Sequence, residues 1–420
     1  MAKQLHKKFT DEAVKSLLDK YLAKEIKVNY VLEILGIKKV RFFQLLKEYR
    51  TDPNGFSISY RRKTGNRIND EVEKNILKEL AFEKSRIIGD KDVPVNTYNY
   101  SYIKRLLGNK YQQTVSVPTI IDRAKKNDFY IPRRKRKVHD REVLTNYVGE
   151  LIQHDSSHHK WAPYSGEKWY LVTSLDDYSR MLLYAELVKK DTTWAHIFAL
   201  QSVFLIYGMP LRYYVDSHSI FRFVQGRDSV WRNHKKVTDE AITQWKQVLH
   251  DCNVNVTHSL SPQAHGKAER PYGWLQDNLV RTCVRENVRK IEDGKSVLRC
   301  EVDRYNYHRL HSTTGEIPWV RFNRALKEKK SLLREFSIRP PYQSPKDIFC
   351  LRKHRIVDKY AEISFKNLRF KLPASTINQK VELRISPDLE TGMAEVRLWG
   401  RGKLLATHQV KNDDLNLVHF

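Results

Sequence analysis

The amino-acid sequence predicts a multidomain protein with helix-turn-helix units at its N-terminal end, a central α/β domain on a mixed sheet, and a small all-β barrel at its C-terminal end. The chain has 420 residues, more than one hydrophobic core usually organises. Its apolar pattern is helical to about residue 130, combines strands with helices from about 146, and alternates residue by residue from about 346. The predicted parts are two helix-turn-helix domains (1–62 and 63–130), a basic linker (131–145), the α/β domain (146–325) and the barrel (346–415).

The composition favours a polyanionic partner. Lysine and arginine number 76 against 49 acidic residues, which gives a net charge of +27. Nucleic acid is the commonest partner for such a charge, and a membrane surface is the alternative. No apolar run approaches the ~20 residues of a spanning helix, and the start "MAKQLHKKFTDEAV" lacks the apolar core of a signal peptide. We expect a cytoplasmic protein without a membrane partner.

The cysteines do not indicate zinc or disulfides. They have neither paired spacing nor a CxxC motif, so buried free thiols are the better interpretation. The four are Cys252, Cys283, Cys300 and Cys350.

The first helix-turn-helix is predicted in "TDEAVKSLLDKYLA" and "VNYVLEILGIKKVRFFQLLKEYR". Thr10 caps the first helix, and Gly36 forms the turn before a basic helix. The side chains of that last helix predicted to face inward are Val40, Phe43 and Leu46. Those predicted to contact DNA near its start are Lys38, Lys39 and Arg41.

A second unit follows in "YNYSYIKRLLGNKYQQTVSVPTIIDRAKKNDF", with a predicted turn at Gly108 and Pro118 in the first turn of the next helix. Any three-helix bundle can mimic one such unit, but two in a basic chain support each other. The basic run that comes next is either a solvated linker or a tether along DNA, and these are compatible. Its predicted phosphate contacts are Arg133, Arg134, Lys135, Arg136 and Lys137.

The central domain is predicted to contain five strands. Three come in succession, in "GELIQHDSS", "KWYLVTSLDD" and "MLLYAELVKK", and two more, "PLRYYVDS" and "NVNVTHSL", alternate with helices. This order is typical of a mixed sheet flanked by helices. The C-terminal part alternates apolar and polar residues around glycine turns, which predicts a small SH3-like barrel. The side chains expected to keep its outside basic are Lys380, Arg384, Arg397 and Arg401.

Three carboxylates are placed where the predicted sheet could bring them together. Asp155 lies in the first strand, Asp216 ends the fourth, and Glu269 opens a long helix. Converging carboxylates repel, and a pair of Mg²⁺ ions ~3.5–4 Å apart relieves that repulsion and suits attack on a phosphodiester. Each acid also has a local explanation: a strand end, an Asx-turn with Ser217, or a favoured helix N-terminus. The spacing alone leaves both explanations open.

Residues 150–286 resemble the catalytic core of DDE integrases and transposases, the retroviral-integrase superfamily with an RNase H-like fold, and most of all the ISNCY group of bacterial insertion-sequence transposases. The resemblance lies in "ELIQHDSSHHKW", "TSLDDYSRMLLYAELVKKDTT", "MPLRYYVDSHSIFR" and "SPQAHGKAERPYGWLQDNLV". It implies that Asp155, Asp216 and Glu269 form the metal-binding triad for two Mg²⁺ ions, with Mn²⁺ able to substitute. It also implies a transposase that cuts the element's 3′ ends and joins them to target DNA, as a dimer or larger assembly on double-stranded DNA.

Two departures from the family pattern are visible. The gap of 52 residues between Asp216 and Glu269 is longer than in compact integrases, and we interpret the loop 217–237 as an insertion near the site. The retroviral zinc module is replaced by helix-turn-helix units. Two alternatives to a transposase stay open: a nuclease of this fold that does not join strands, and a regulator that binds DNA without catalysis.

Several neighbours of the triad have separate expectations. The adjacent His158 and His159 suit DNA or solvent better than a hard metal, and Asp176 with Asp177 suit a structural turn. The cations expected to contact phosphate at the start of the glutamate helix are Lys267 and Arg270. Tyr272 and Gln276 share the helix face of Glu269, where core packing of Tyr272 is an equal alternative.

Overall fold

The computed structural model describes residues 5–59, 68–132, 145–216, 218–221, 242–258, 269–366 and 368–415, without the side chains of 269–271. The chain divides into two compact units, Met1–Glu73 and Lys74–Phe420. None of the helices within these ranges is long and apolar enough to cross a membrane.

The described part of the first unit includes the helices α1 (Asp11–Leu22), α2 (Val28–Leu35) and α3 (Lys39–Thr51). As predicted, the Thr10 side chain caps α1 by accepting a hydrogen bond from the Ala13 amide, and Gly36 ends α2 with a left-handed φ of +64°. Of the side chains predicted to face inward in α3, Leu46 is buried as predicted, but Val40 and Phe43 are not, and the other buried side chains are Phe42 and Leu45. Val40 and Phe43 lie on the solvent side instead.

Helices α4 (Asp70–Phe82), α5 (Tyr100–Tyr111) and α6 (Val117–Lys126) precede the sheet, and a π-helical segment, Glu83–Ile88, extends α4. The predicted turn at Gly108 is wrong, because α5 continues through it. The helix ends where Gln112 adopts a left-handed φ of +54°. Ser116 then caps α6, and Pro118 lies in its first turn as predicted.

The mixed sheet predicted for the centre of the chain is confirmed. Its strands are β1 (Ile152–His159), β2 (Trp169–Asp176), β3 (Leu182–Val188), β4 (Arg212–Val215) and β5 (Asn255–His258), in the order β3-β2-β1-β4-β5. β1, β2 and β3 pair antiparallel, whereas β1, β4 and β5 pair parallel. The first and fourth strands are therefore central neighbours.

Helices pack on both faces of this sheet. They are α7 (Thr193–Ile206), α8 (Gln244–Asp251), α9 (Glu269–Arg285), α10 (Ile291–Tyr307) and α11 (Pro318–Lys327). One apolar cluster joins Ile152 and Tyr213 to Trp194 of α7 and Trp245 of α8. The other cluster joins β2 and β3 to α9 and α10, and its fully buried members include Leu171, Leu187 and Leu279.

The C-terminal part is all-β, as predicted, but its described strands form open sheets rather than a closed barrel. The strands are β6 (Leu351–Ile356), β7 (Glu362–Phe365), β8 (Leu368–Lys371), β9 (Lys380–Pro387), β10 (Met393–Gly400) and β11 (Lys403–Lys411), followed by the short helix α12 (Asn412–Leu415). One sheet has the order β11-β10-β9-β6, and β7 pairs with β8.

Two of the four basic side chains predicted on the outside of this part are buried. Arg397 pairs with the carboxylate of Asp347 at 2.6 Å, and Arg384 donates to the Asp347 backbone carbonyl. Lys380 and Arg401 are exposed as predicted. The cysteines are free; three are buried as predicted, and Cys300 is exposed.

Candidate active site

Asp155 lies at the middle of the central strand β1. Its Cα faces that of Thr173 on β2, and its side chain is half-buried. One carboxylate oxygen accepts a hydrogen bond of 2.8 Å from the Ser156 amide. The strand and this bond fix the position of the carboxylate at the sheet surface.

Asp216 directly follows the neighbouring parallel strand β4. Ile152 pairs with Tyr213 and Gln153 with Tyr214, and continuing this register sets Asp155 beside Asp216. Neighbouring strands lie about 4.8 Å apart, so both acids belong to one small region. One oxygen of Asp216 accepts a hydrogen bond of 2.9 Å from the His218 amide. This bond forms an Asx-turn, the local explanation that the sequence offered for Asp216. The turn orients the carboxylate and occupies one oxygen, so it is compatible with a role in the site.

Tyr272 brings the first turn of α9 to the same place. The Thr173 hydroxyl donates a hydrogen bond of 2.8 Å to the buried phenolic oxygen of Tyr272. The pKa of this phenol is raised well above its usual value by burial and then by the negative charge of Asp155, with smaller contributions from Asp191 and Asp216. The phenol therefore lies within electrostatic reach of three carboxylates.

Glu269 is the first residue of α9, and its side chain lies outside the described part of the structure. It precedes Tyr272 by three positions in the first turn of the same helix. The backbone of this turn is thus at the edge of the Asp155 region, and the meeting of all three carboxylates stays a prediction. Among the side chains that are described, no three His, Cys, Asp or Glu groups are close enough to hold a metal ion.

Asp191 is a further acid near the site, two residues before α7. The cap of α7 is Thr192, whose side chain accepts a hydrogen bond from the Ala195 amide. Asp191 instead accepts a hydrogen bond of 3.1 Å from the Ser156 hydroxyl and contacts His196 at 2.8 Å. Burial alone would raise the pKa of Asp191. The hydrogen bond and charge of His196, with smaller contributions from Ser156 and His218, outweigh burial, so the pKa of Asp191 is lowered.

Behind Asp191 lies a buried chain of imidazoles. The Nδ1 atom of His196 is 2.8 Å from Nε2 of His154, whose Nδ1 is 2.9 Å from the Ser174 hydroxyl. His154 stacks on Trp245 at a ring distance of 5.8 Å. Burial and then the charge of His196 lower the pKa of His154 well below its usual value, so His154 is neutral at neutral pH. No local sequence pattern predicts this chain, because His154, Ser174 and His196 come from two strands and a helix.

The adjacent histidines at the end of β1 contact other aromatic rings. His158 is exposed and stacks on Tyr170 at a ring distance of 4.2 Å. His159 contacts the Trp161 ring edge-on, and burial followed by the charge of Lys168 lowers its pKa.

Asp176 and Asp177 are buried at the end of β2, where they hold a turn. Asp176 accepts hydrogen bonds from the amides of Gly149 and Ser179, each at 2.8 Å, and from the Ser179 hydroxyl. Asp177 forms a buried ion pair of 3.0 Å with Arg180. Both carboxylates are occupied by the turn, which agrees with the structural assignment.

The predicted DNA contacts are only partly described. Lys38, Lys39 and Arg41 are exposed at the start of α3. Most of the loop 217–237 lies outside the described residues. So do the predicted phosphate contacts Arg133, Arg134, Lys135, Arg136 and Lys137, together with Lys267 and the side chain of Arg270.

Comparison with known proteins relates the chain to transposases, and no family model matches it. It is 26% identical over 247 residues to "Putative transposase y4bF" of Sinorhizobium fredii (strain NBRC 101917 / NGR234), covering 59% of this chain and 49% of that protein. It is 28% identical over 171 residues to "Transposase for insertion sequence IS1202" of Streptococcus pneumoniae, covering 41% and 35%. The chain thus spans half or less of the length of these curated relatives, and the resemblance to insertion-sequence transposases is confirmed.

The solved structures that match include retroviral integrase structures. The HTLV-2 integrase catalytic core domain in complex with magnesium (trimeric form) matches with a TM-score of 0.31 and 17% identity, over 43% of this chain and 98% of that one. The simian T-cell lymphotropic virus intasome in complex with PP2A regulatory subunit B56 gamma matches with a TM-score of 0.33 and 15% identity, over 73% and 91%.

Proposed function

We propose that the protein is a DNA transposase that binds the terminal repeats of its element, cleaves at the 3′ ends and joins them to target DNA by transesterification. The observation that carries the proposal is the parallel register of β1 with β4, which when continued brings Asp155 towards Asp216, together with the hydrogen bond that holds the first turn of α9 against β2. Similarity to two transposases supports the reaction class.

The site fits divalent cations. Asp155, Asp216 and Glu269 would hold two Mg²⁺ ions, because carboxylate oxygens are the ligands this hard cation prefers. The negative charge that raises the pKa of the buried Tyr272 phenol is the electrostatic environment such ions would neutralise. When bound, they would supply an activated water or 3′-hydroxyl and stabilise the departing oxygen. Mn²⁺, with similar ligand preference, would substitute.

The protein's own groups orient the carboxylates. The Ser156 amide fixes one oxygen of Asp155, and the His218 amide fixes one of Asp216. Thr173 and Tyr272 hold the helix turn that begins at Glu269. Each contact reduces the reorganisation needed when a phosphodiester arrives.

DNA is the proposed partner, in keeping with the charge of +27. The α3 cations, the basic run 133–137, Lys267 and Arg270 would contact phosphates. Both transposon ends must be held together, so we propose a homodimer or larger assembly on DNA, acting at the nucleoid in the bacterial cytoplasm.

The test uses the full chain and duplexes copied from inverted repeats that flank its gene. Wild type should nick the duplex at its 3′ end with Mg²⁺ or Mn²⁺ and then join it to a target duplex. Asp155→Asn, Asp216→Asn and Glu269→Gln should each abolish nicking while DNA affinity changes less than about twofold. The matched control is Asp303→Asn, which removes an exposed acid of α10 and should leave the rate unchanged.

The outcomes separate the alternatives. Cut ends without joined product would indicate a nuclease. Binding without any metal-dependent nicking would indicate a regulator. Full activity of Asp155→Asn would contradict the assignment of the site.

A further inference from the structure

Helix α3 exposes two apolar side chains, Val40 and Phe43. Val40 is 73% exposed and Phe43 is 44% exposed, whereas Phe42 and Leu45 fill the core of the three-helix unit. Phe43 lies edge-on to Phe42 with ring centroids 5.2 Å apart, so its ring is anchored while its outer side faces solvent.

These two side chains lie within a basic helix face. Lys39, Val40, Phe43, Gln44 and Lys47 follow one another at helical spacing, and all five are exposed. The helix carries four cations, Lys39, Arg41, Lys47 and Arg50, against one acid, Glu48. Positive charge around a small apolar centre is complementary to a DNA major groove, where phosphates flank the 5-methyl groups of thymine.

The position of the helix in the unit suits that partner. A short turn at Gly36 joins α2 to α3, and Val40 and Phe43 lie in the first two turns of α3. In helix-turn-helix proteins the N-terminal residues of the second helix contact base edges.

We propose that Val40 and Phe43 recognise thymine 5-methyl groups in the major groove of the terminal repeat, while Lys39 and Lys47 contact the flanking phosphates. The inference rests on the proposed function, because it names how the terminal repeat is recognised. It makes the two apolar side chains specificity determinants and the lysines contributors to affinity for any sequence.

The experiment replaces thymine by uracil, which removes only the methyl group, at one position of the repeat duplex at a time. Affinity of the full chain is measured for each duplex. For wild type, the substitution at one or two positions should weaken binding about fourfold, the size expected when one methyl group is no longer buried. Val40→Ala or Phe43→Ala should bind thymine and uracil equally at the affected position. The double-mutant cycle that combines the protein substitution with the thymine-to-uracil change should then show a coupling energy between the side chain and the methyl group.

Two control variants belong to the same unit. Leu22→Ala, an apolar residue of α1 that is 38% exposed, should keep the thymine preference. Lys47→Ala should weaken binding to all duplexes alike. It should also make the slope of log affinity against log salt concentration shallower by about the amount of one phosphate contact. Thermal unfolding should be nearly unchanged in all four variants, because their side chains are exposed.

Three results would overturn the inference: no uracil position affects wild type, the alanine variants keep the full thymine preference, or they change the oligomeric state and leave recognition intact. The last result would assign the patch to a second copy of the chain. Failure of the proposed function is a separate result, because nicking is measured independently of the thymine-to-uracil ratio.

Discussion

The Thr173 hydroxyl on β2 donates a hydrogen bond of 2.8 Å to the phenolic oxygen of Tyr272 in α9. Thr173 is also the residue that faces Asp155 across the β1–β2 pair. One hydrogen bond therefore connects the strand beside the first aspartate to the helix turn that begins at Glu269. The position of that turn is coupled to the position of Asp155.

The first prediction concerns this bond. Tyr272→Phe removes the hydroxyl but keeps the ring in the core, so the helix turn loses a contact worth about 1 kcal/mol. If this contact positions Glu269, the nicking rate at saturating DNA should fall about fivefold to tenfold, while DNA affinity stays the same. Single-turnover kinetics with the end duplex measure both quantities.

The control is another buried tyrosine. Tyr305 is 1% exposed, and its hydroxyl has no hydrogen-bond partner in the described part of the chain. Tyr305→Phe should leave the nicking rate unchanged. Equal rates for Tyr272→Phe and wild type would show that the bond serves only folding.

The succession of the five strands along the chain was predictable because each strand is a short apolar run bounded by turn residues. A mixed sheet can bring Asp155 and Asp216 together only if the first and fourth strands are neighbours, and in the structure they are. Asp191 could not be predicted in the same way. Its position depends on contacts with Ser156 on β1 and His196 on α7, and neither is encoded in local periodicity.

The errors in α3 and in the C-terminal sheet have a similar cause. "VRFFQLL" places apolar residues at both 42 and 43, so helical spacing fits two faces equally well. Packing against Tyr21, whose ring lies 5.0 Å from that of Phe42, selects the buried one. The alternating pattern of its strand predicts that Arg397 faces outward. Its side chain is buried instead because it pairs with the buried carboxylate of Asp347, which would be costly to leave unpaired.

The second prediction concerns Asp191. Asp191→Asn replaces a charged acceptor of the His196 and Ser156 hydrogen bonds by a neutral amide. The free energy of unfolding should fall by about 2 kcal/mol, the usual value of a hydrogen bond to a charged group, measured by urea denaturation at neutral pH. Ser156→Ala removes only the weaker contact and should cost less, about 1 kcal/mol. An unchanged midpoint in Asp191→Asn would show that solvent already screens the pair.

The third prediction concerns pH. Burial raises the pKa of Asp176 to about 6, although hydrogen bonds from Ser179 and Gly149 oppose the shift. Because the folded state binds this proton more tightly than the unfolded state, its contribution to stability is complete below pH ~4 and is lost as the pH rises through about 6. The loss amounts to about 3 kcal/mol at most for a shift from 3.8 to about 6.

Asp176→Asn cannot titrate, so the stability difference between wild type and this variant should shrink by about that amount between pH 4 and 7. His154 acts in the opposite direction, because its lowered pKa makes stability fall as the pH decreases, but it is present in both proteins and cancels. Urea midpoints across this pH range provide the comparison. Ser179→Ala removes a hydroxyl donor to the carboxylate and should move the loss to higher pH; parallel curves for Asp176→Asn and wild type would contradict the prediction.

The fourth prediction concerns the ion pairs between α9 and the segment that extends α4. Arg281 is fully buried and pairs with the equally buried Glu83, and with Asp277 at 2.9 Å. Arg285 also pairs with Glu83, at 2.9 Å. A buried charge deprived of its partner costs about 3–5 kcal/mol, so Arg281→Met should lower the free energy of unfolding by somewhat less, about 3 kcal/mol, because Arg285 still compensates Glu83.

Glu83→Gln should destabilise by a similar amount, because it leaves Arg281 with only Asp277 as an ionic partner. The double variant should lose clearly less than the sum of the two, since the uncompensated charge of each single variant is then absent. Urea denaturation of wild type, the two single variants and the double variant completes the cycle. The matched control is Arg304→Met, which removes a half-buried partner of Glu301 at 2.7 Å. The loss of stability that it causes should simply add to that of Arg281→Met. Strict additivity of Arg281→Met and Glu83→Gln would show that the two side chains do not compensate each other.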